Sequence, residues 1–177
     1  ADVTISAAIS NGGLNKTGGG TLVLSGANTY AGITSIDAGT VNIQNASALG
    51  TTAGNTVVAS GAALEIQGGI NVSEPLTLNG SGISDGGALR NINSNNFWSG
   101  AITLAGDAAI GGGGGPLGTE LVLFGAIGET GGSRGLSVIG FLSLVMQSGA
   151  TLGGTGAATG PITAQSGGHL APGTGPG

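Results

Sequence analysis

Cysteine is absent from this chain of 177 residues, so disulfides and thiolate metal sites are excluded. That absence suits a cytosolic protein, and equally an exported one that must stay unfolded in transit. Positive charge is nearly absent too. Lys16, Arg90 and Arg134 are its whole basic complement, against eight acidic residues and a net charge of −5. A nucleic-acid partner needs a basic footprint to neutralise phosphates, and an anionic membrane surface needs the same; neither partner is expected. Histidine occurs once, at His169, with no acidic residue near it in sequence, so a Ser-His-Asp triad or a multi-histidine metal site has no foundation. The most apolar stretch, 135–146, is broken by Ser137 and Ser143 and falls short of the roughly 20 residues that a membrane-spanning helix takes. Aromatics are five, Tyr30, Phe97, Trp98, Phe124 and Phe141, which suits a narrow core better than a broad one.

What the chain has in quantity is glycine, 41 residues, together with short apolar runs. Such glycine content raises the prospect of disorder, but Leu, Ile, Val and Phe together exceed roughly one fifth of the chain, the level below which disorder is expected. With charged residues at 6%, self-repulsion would not hold the chain open. Strands are predicted at 21–24, 40–43, 56–59, 63–66, 76–78, 88–92, 101–104, 120–123, 142–146 and 161–164. Most alternate with period two, as in Leu22/Leu24, Val41/Ile43 and Leu64/Ile66, which puts one side chain in and the next out. Ser-Gly, Asn-Gly and Asp-Gly turns separate them. Glycine at this frequency defeats helices, each interior one costing about 1 kcal/mol; a single helical turn is expected at 45–50. Gly111 to Gly115 is the best hinge candidate, yet apolar patterning continues past it, so residues 1–177 read as one domain.

Internal repetition organises these strands. Gly13-Leu14-Asn15-Lys16-Thr17-Gly18 leads into Leu22-Val23-Leu24-Ser25-Gly26-Ala27, and Gly135-Leu136-Ser137-Val138-Ile139-Gly140 leads into Leu144-Val145-Met146 at the same spacing. Strand starts at Leu22, Val41 and Leu64 lie 19 and 23 residues apart. Repeated units of that size bury their apolar faces on their neighbours. The fold class predicted is all-β, a parallel β-helix or β-solenoid, with about eight rungs at a period of roughly 20 to 25 residues.

The run Gly13-Leu14-Asn15-Lys16-Thr17-Gly18-Gly19-Gly20-Thr21-Leu22-Val23-Leu24-Ser25-Gly26-Ala27-Asn28-Thr29-Tyr30-Ala31-Gly32 closely resembles the autotransporter-associated β-strand repeat of type V secreted passengers. Ala38-Gly39-Thr40-Val41, Pro75-Leu76-Thr77-Leu78-Asn79-Gly80 and Trp98-Ser99-Gly100-Ala101-Ile102-Thr103-Leu104 continue the pattern. His169-Leu170-Ala171-Pro172-Gly173 is similar to a segment common late in such passengers. The resemblance implies a right-handed β-helix outside a Gram-negative cell, extracellular or at its surface, acting as a scaffold or stalk. It supplies no catalytic residues. The chain departs from the repeat at Val138, Ile139, Phe141 and Leu142, which make 138–146 unusually apolar.

Candidate sites are few. Phe97-Trp98 after Asn95 and Asn96 is the candidate glycan contact, because an aromatic pair beside amides can stack on a sugar ring; the competing reading has the aromatics closing a corner of the core. Glu65 and Glu74 could pair across rungs as in polysaccharide-cleaving enzymes, but isolated solvated charges are the preferred reading. Asp85 beside Gly86-Gly87 lacks the periodic aspartates of calcium-binding repeats. Gly111 to Gly115 lacks the Gly-Lys-Ser/Thr end of a phosphate loop. No enzyme activity, metal or cofactor is expected, and no membrane insertion by this segment. No capping unit is legible at either end, so the chain is expected either to self-associate end to end into an extracellular fibre or to be a piece of a longer passenger whose neighbours cover its ends. The alternative is a glycan- or host-surface-binding adhesin module.

Overall fold

The computed structural model describes residues 2–112 and 119–140, together with strands Ser143–Met146, Thr151–Gly154, Ile162–Ala164 and His169–Pro172. Each of its sheet pairings is parallel, and the chain winds as a β-solenoid whose turns present up to three ladders. The first ladder stacks β1 (Val3–Ile5), β3 (Thr21–Leu24), β5 (Gly39–Ile43), β7 (Ala62–Gln67), β10 (Leu89–Asn93), the second half of β12 (Ile102–Gly112) and β15 (Leu136–Gly140). The second stacks β2 (Leu14–Lys16), β4 (Thr34–Ile36), β6 (Thr56–Val58), β9 (Leu76–Gly80), the first half of β12, β14 (Ile127–Glu129), β17 (Thr151–Gly154) and β19 (His169–Pro172). The third is a five-stranded sheet of β8 (Asn71–Val72), β11 (Asn96–Trp98), β13 (Glu120–Leu123), β16 (Ser143–Met146) and β18 (Ile162–Ala164). Among the described residues the sole helix is a 3-10 turn, Ile83–Asp85.

The period-based expectation of about eight rungs is corrected to about five turns that carry all three faces. The cause lies in the first three turns, whose third corner is made by loops 6–13, 25–33 and 44–55 and not by strands. The helical turn expected at 45–50 is one of these corners, closed by the Ala48 N–H donating to the Asn45 carbonyl at 3.0 Å. The hinge candidate divides: Gly111 and Gly112 end β12, and Gly113 to Gly115 lie outside the described residues.

Register makes the core. Leu22, Val41, Leu64, Leu89, Ile110 and Val138 face each other rung to rung and are all buried. Leu24, Ile43 and Ile66 form a second column, which turns polar at Asn91. In-register parallel pairing sets rungs about 4.8 Å apart, so each side chain covers the one beneath. Each buried Leu, Ile or Val then contributes about 1.5–3 kcal/mol.

Lys16 begins a column that continues through Ile36, Val58, Leu78 and Leu104 to Glu129. Its alkyl stem extends the apolar stack, and its Nζ donates to the carbonyls of Thr17, Gly18 and Ala38 at 3.0, 2.6 and 2.9 Å. The chain therefore has a partial cap that the expectation of bare ends did not include. Gly39 is fixed by the same arrangement: its φ is +72°, and a Cβ there would sit 2.7 Å from Lys16 Nζ. Lys16→Met keeps the stem and removes the donors. It is expected to cost about 1–3 kcal/mol, read as a lower urea midpoint at unchanged slope.

Candidate functional site

The four candidate glycan residues separate in the fold. Strand β11 alternates, so Asn96 and Trp98 point inward and Phe97 points out. Trp98 is fully buried between Val72 below and Leu123 above, and its Nε1 has no hydrogen-bond partner. Of the two readings of Trp98, its burial fits the one that has it closing a corner of the core; an indole with no exposed surface offers no stacking face to a sugar. Asn96 is equally buried and wholly committed. Its Oδ1 accepts from the Ile70 N–H, and its Nδ2 donates to Asn91 Oδ1 and to the carbonyls of Asn93 and Ser94. Asn95 is exposed, with Oδ1 accepting from the Glu120 N–H at 3.0 Å. What remains at the surface is Phe97 stacked on Phe124, rings 6.0 Å apart at 27°, with Phe124 exposed.

The two glutamates do not meet either. Glu65 lies on the outer face of the first ladder, where Arg90 Nη1 bonds it at 3.0 Å and Asn42 Nδ2 donates to its other oxygen. With Gln44 and Gln67 both donating to Asn42, this is a polar stripe across three rungs and not a catalytic pair. Asp85 accepts a hydrogen bond from the Ser81 hydroxyl. No cluster of three acidic or histidine side chains that could hold a metal exists among the described residues. His169 begins β19, and its side chain lies outside the described residues.

Glu74 is the residue that sequence reasoning placed wrongly. It follows β8 at the third corner and is 3% exposed, not solvated. Its Oε1 accepts no hydrogen bond. The turn above lies close: a Cβ on Gly100 would collide with the Glu74 carbonyl oxygen, so only glycine fits there. Burial pushes the Glu74 carboxyl up to about 7. Burial also raises the Tyr30 hydroxyl, opposed by its hydrogen bond to Thr34.

A pH dependence follows from Glu74. The folded chain holds this proton more tightly than the unfolded chain, whose reference value is 4.5. The stability tied to it is full below that value and is lost as pH rises through about 7. The loss is expected to reach up to about 3 kcal/mol. Urea midpoints measured from pH 5 to 8 should fall for the native chain relative to Glu74→Gln, which carries no titrating group at this position.

Comparison with known proteins gives two matches. A family model described as the passenger-associated-transport-repeat matches residues 14–43, from β2 through β5, and so includes the capping Lys16. The adhesin BmaC autotransporter of Brucella suis biovar 1 (strain 1330) is similar at 38% identity over 76 residues, 43% of this chain. The chain spans 2% of that relative's length. No solved structure matches. The matched repeat coincides with a turn whose strands pair in parallel register on the turns around it. The parallel β-solenoid, the repeat matched at residues 14–43 and the similarity to an autotransporter adhesin together support an autotransporter passenger repeat, at or outside the surface of a Gram-negative cell.

Proposed function

We propose that this solenoid is a non-catalytic stalk element of a surface-displayed passenger, and that its first turn stacks end to end on the last turn of another copy, building a fibre. The observation behind the stacking is that, among the described residues, β1 pairs with β3 alone and β2 with β4 alone, so the other edge of each strand has no partner within this stretch of chain. Val3 on that edge is 54% exposed, and Ile5, Ile9 and Leu14 are only partly covered. An unprotected parallel edge of rung spacing accepts a further rung, and a head-to-tail contact does not close on itself. Lys16 blunts one corner of this end and leaves the rest open. Sedimentation and negative-stain microscopy of the purified chain test the proposal. Rods that lengthen with concentration, and shorten when Val3 and Ile5 are both changed to Lys, are the expected result. A monomer at millimolar concentration with no rods refutes it.

A second reading, a surface-binding adhesin segment, draws on the relative's printed description as an adhesin and on the exposed Phe97–Phe124 pair. Glycan-array binding lost on Phe124→Ala is its expected signature; an unchanged array removes it.

A further inference from the structure

Two Asn-Gly pairs occur in the chain, Asn11-Gly12 and Asn79-Gly80, and the fold treats them differently. Asn79 and Gly80 end β9 and are half-buried. The Asn79 Nδ2 donates to the Val58 carbonyl at 3.4 Å, and its Oδ1 is hemmed in, since a Cβ on Gly106 would sit 3.1 Å from it. Gly80 is in register with Ala108 on the next rung, and a Cβ there would sit 2.6 Å from Ser60 Oγ.

Asn11 and Gly12 lie in loop 6–13, and both are exposed. Among the described residues neither the Asn11 amide nor the Gly12 N–H makes a hydrogen bond. Both residues have φ of +67°, and a Cβ on Gly12 would meet nothing within 4 Å. Gly12 therefore presents an unshielded backbone nitrogen one residue beyond an amide carbon that no contact holds in place. Nucleophile and electrophile belong to adjacent residues, so no encounter is needed to bring them together.

We propose that Asn11 is a self-modification site, at which the Gly12 nitrogen attacks the Asn11 side chain and converts it to aspartate and isoaspartate. In the first step the bond from Gly12 N to Asn11 Cγ forms and the Cγ–Nδ2 bond breaks. The leaving nitrogen departs as ammonia, carrying the proton of the Gly12 N–H, and a succinimide remains. In the second step water adds to one of the two ring carbonyls next to Gly12 N, and the C–N bond there breaks. Opening at Cγ gives aspartate; opening at the main-chain carbonyl gives isoaspartate. Either product adds a negative charge to the first turn. Isoaspartate also lengthens the main chain, at a corner packed backbone to backbone: the Gly12 carbonyl accepts from the Gly32 N–H at 2.7 Å, and a Cβ on Gly13 would sit 2.5 Å from the Ile33 carbonyl oxygen. The reaction goes beyond the stalk role and does not depend on it, because it is complete within one chain.

Ageing the full chain at pH 6 and pH 8, with peptide mass spectrometry and enzymatic methylation of isoaspartate, tests it. Acid is expected to accumulate at position 11 about tenfold or more faster than at position 79, which corresponds to one tenfold step in barrier height. Conversion is expected to be faster at pH 8, because the attacking backbone nitrogen must lose its proton, and to release ammonia in step. In concentrated urea, where the fold no longer shields Asn79, the two rates are expected to converge. Asn11→Gly, which adopts the same positive φ freely, is expected to lose the product at this position and leave position 79 unchanged. Equal rates at the two sites in the folded chain, faster conversion at Asn79, or no conversion at Asn11 over a time in which the urea-unfolded chain converts would each overturn the proposal.

Discussion

Leu64→Asp is expected to abolish cooperative folding. Leu64 is fully buried between Val41 and Leu89 in the longest apolar column, with neighbours directly above and below. The substitution removes a buried leucine, worth about 2–5 kcal/mol with the cavity it leaves. It also places a carboxylate where no donor or cation reaches it, at a further cost of several kcal/mol. Together these match the roughly 5–15 kcal/mol that holds a typical domain. Circular dichroism and a urea titration check it. A sigmoidal transition within a few tenths of a molar of the parent would place Leu64 outside the core. Val41→Asp should behave alike, and Leu22→Asp somewhat more mildly, since Leu22 retains 9% exposure.

Trp98→Ala is the second large effect, expected at about 3–5 kcal/mol. The indole is the largest fully buried side chain and spans the third ladder between Val72 and Leu123. Its unpaired Nε1 tempers the loss, because removing the ring also removes a buried donor that had no acceptor. A drop in thermal midpoint with surface binding unchanged at temperatures where the variant stays folded is the expected pattern. A variant as stable as the parent that loses a ligand would restore Trp98 to the surface.

Tryptophan at position 98 shows where sequence reading reaches its limit. Alternation within a strand says which residues share a face but not which face is buried. In the first ladder the choice is plain, because Val41/Ile43 and Leu64/Ile66 alternate with Asn42 and Glu65. In Asn96-Phe97-Trp98 both faces carry an aromatic or an amide, and three residues hold too little pattern to choose. The same brevity hid β2, β4, β8 and β14, each three residues or fewer. Rung stacking defines such strands, and partners some 20 to 30 residues away are not visible locally. Lys16 carried a usable signal, since it lies two residues from Leu14 in the inward phase, where an ammonium must find carbonyls. Glu74 carried none: its burial comes from loops 25–33 and 44–55 closing over a corner, a tertiary effect. Parallel pairing, repetition and scarcity of helix were legible because they are written many times over.

The absence of cysteine makes the central claim, in-register parallel stacking of rungs, directly measurable. Asn15, Ser35, Val57, Thr77, Thr103 and Gly128 lie one above another on the second ladder and face outward. Cysteines introduced in pairs, Asn15 with Thr77, with Thr103 and with Gly128, can carry spin labels for pulsed electron resonance. At about 4.8 Å per rung the backbone separations are expected near ~14, ~19 and ~24 Å, rising by one equal step each time. Distances that fail to increase in that order, or that scatter broadly without steps, would contradict a parallel solenoid.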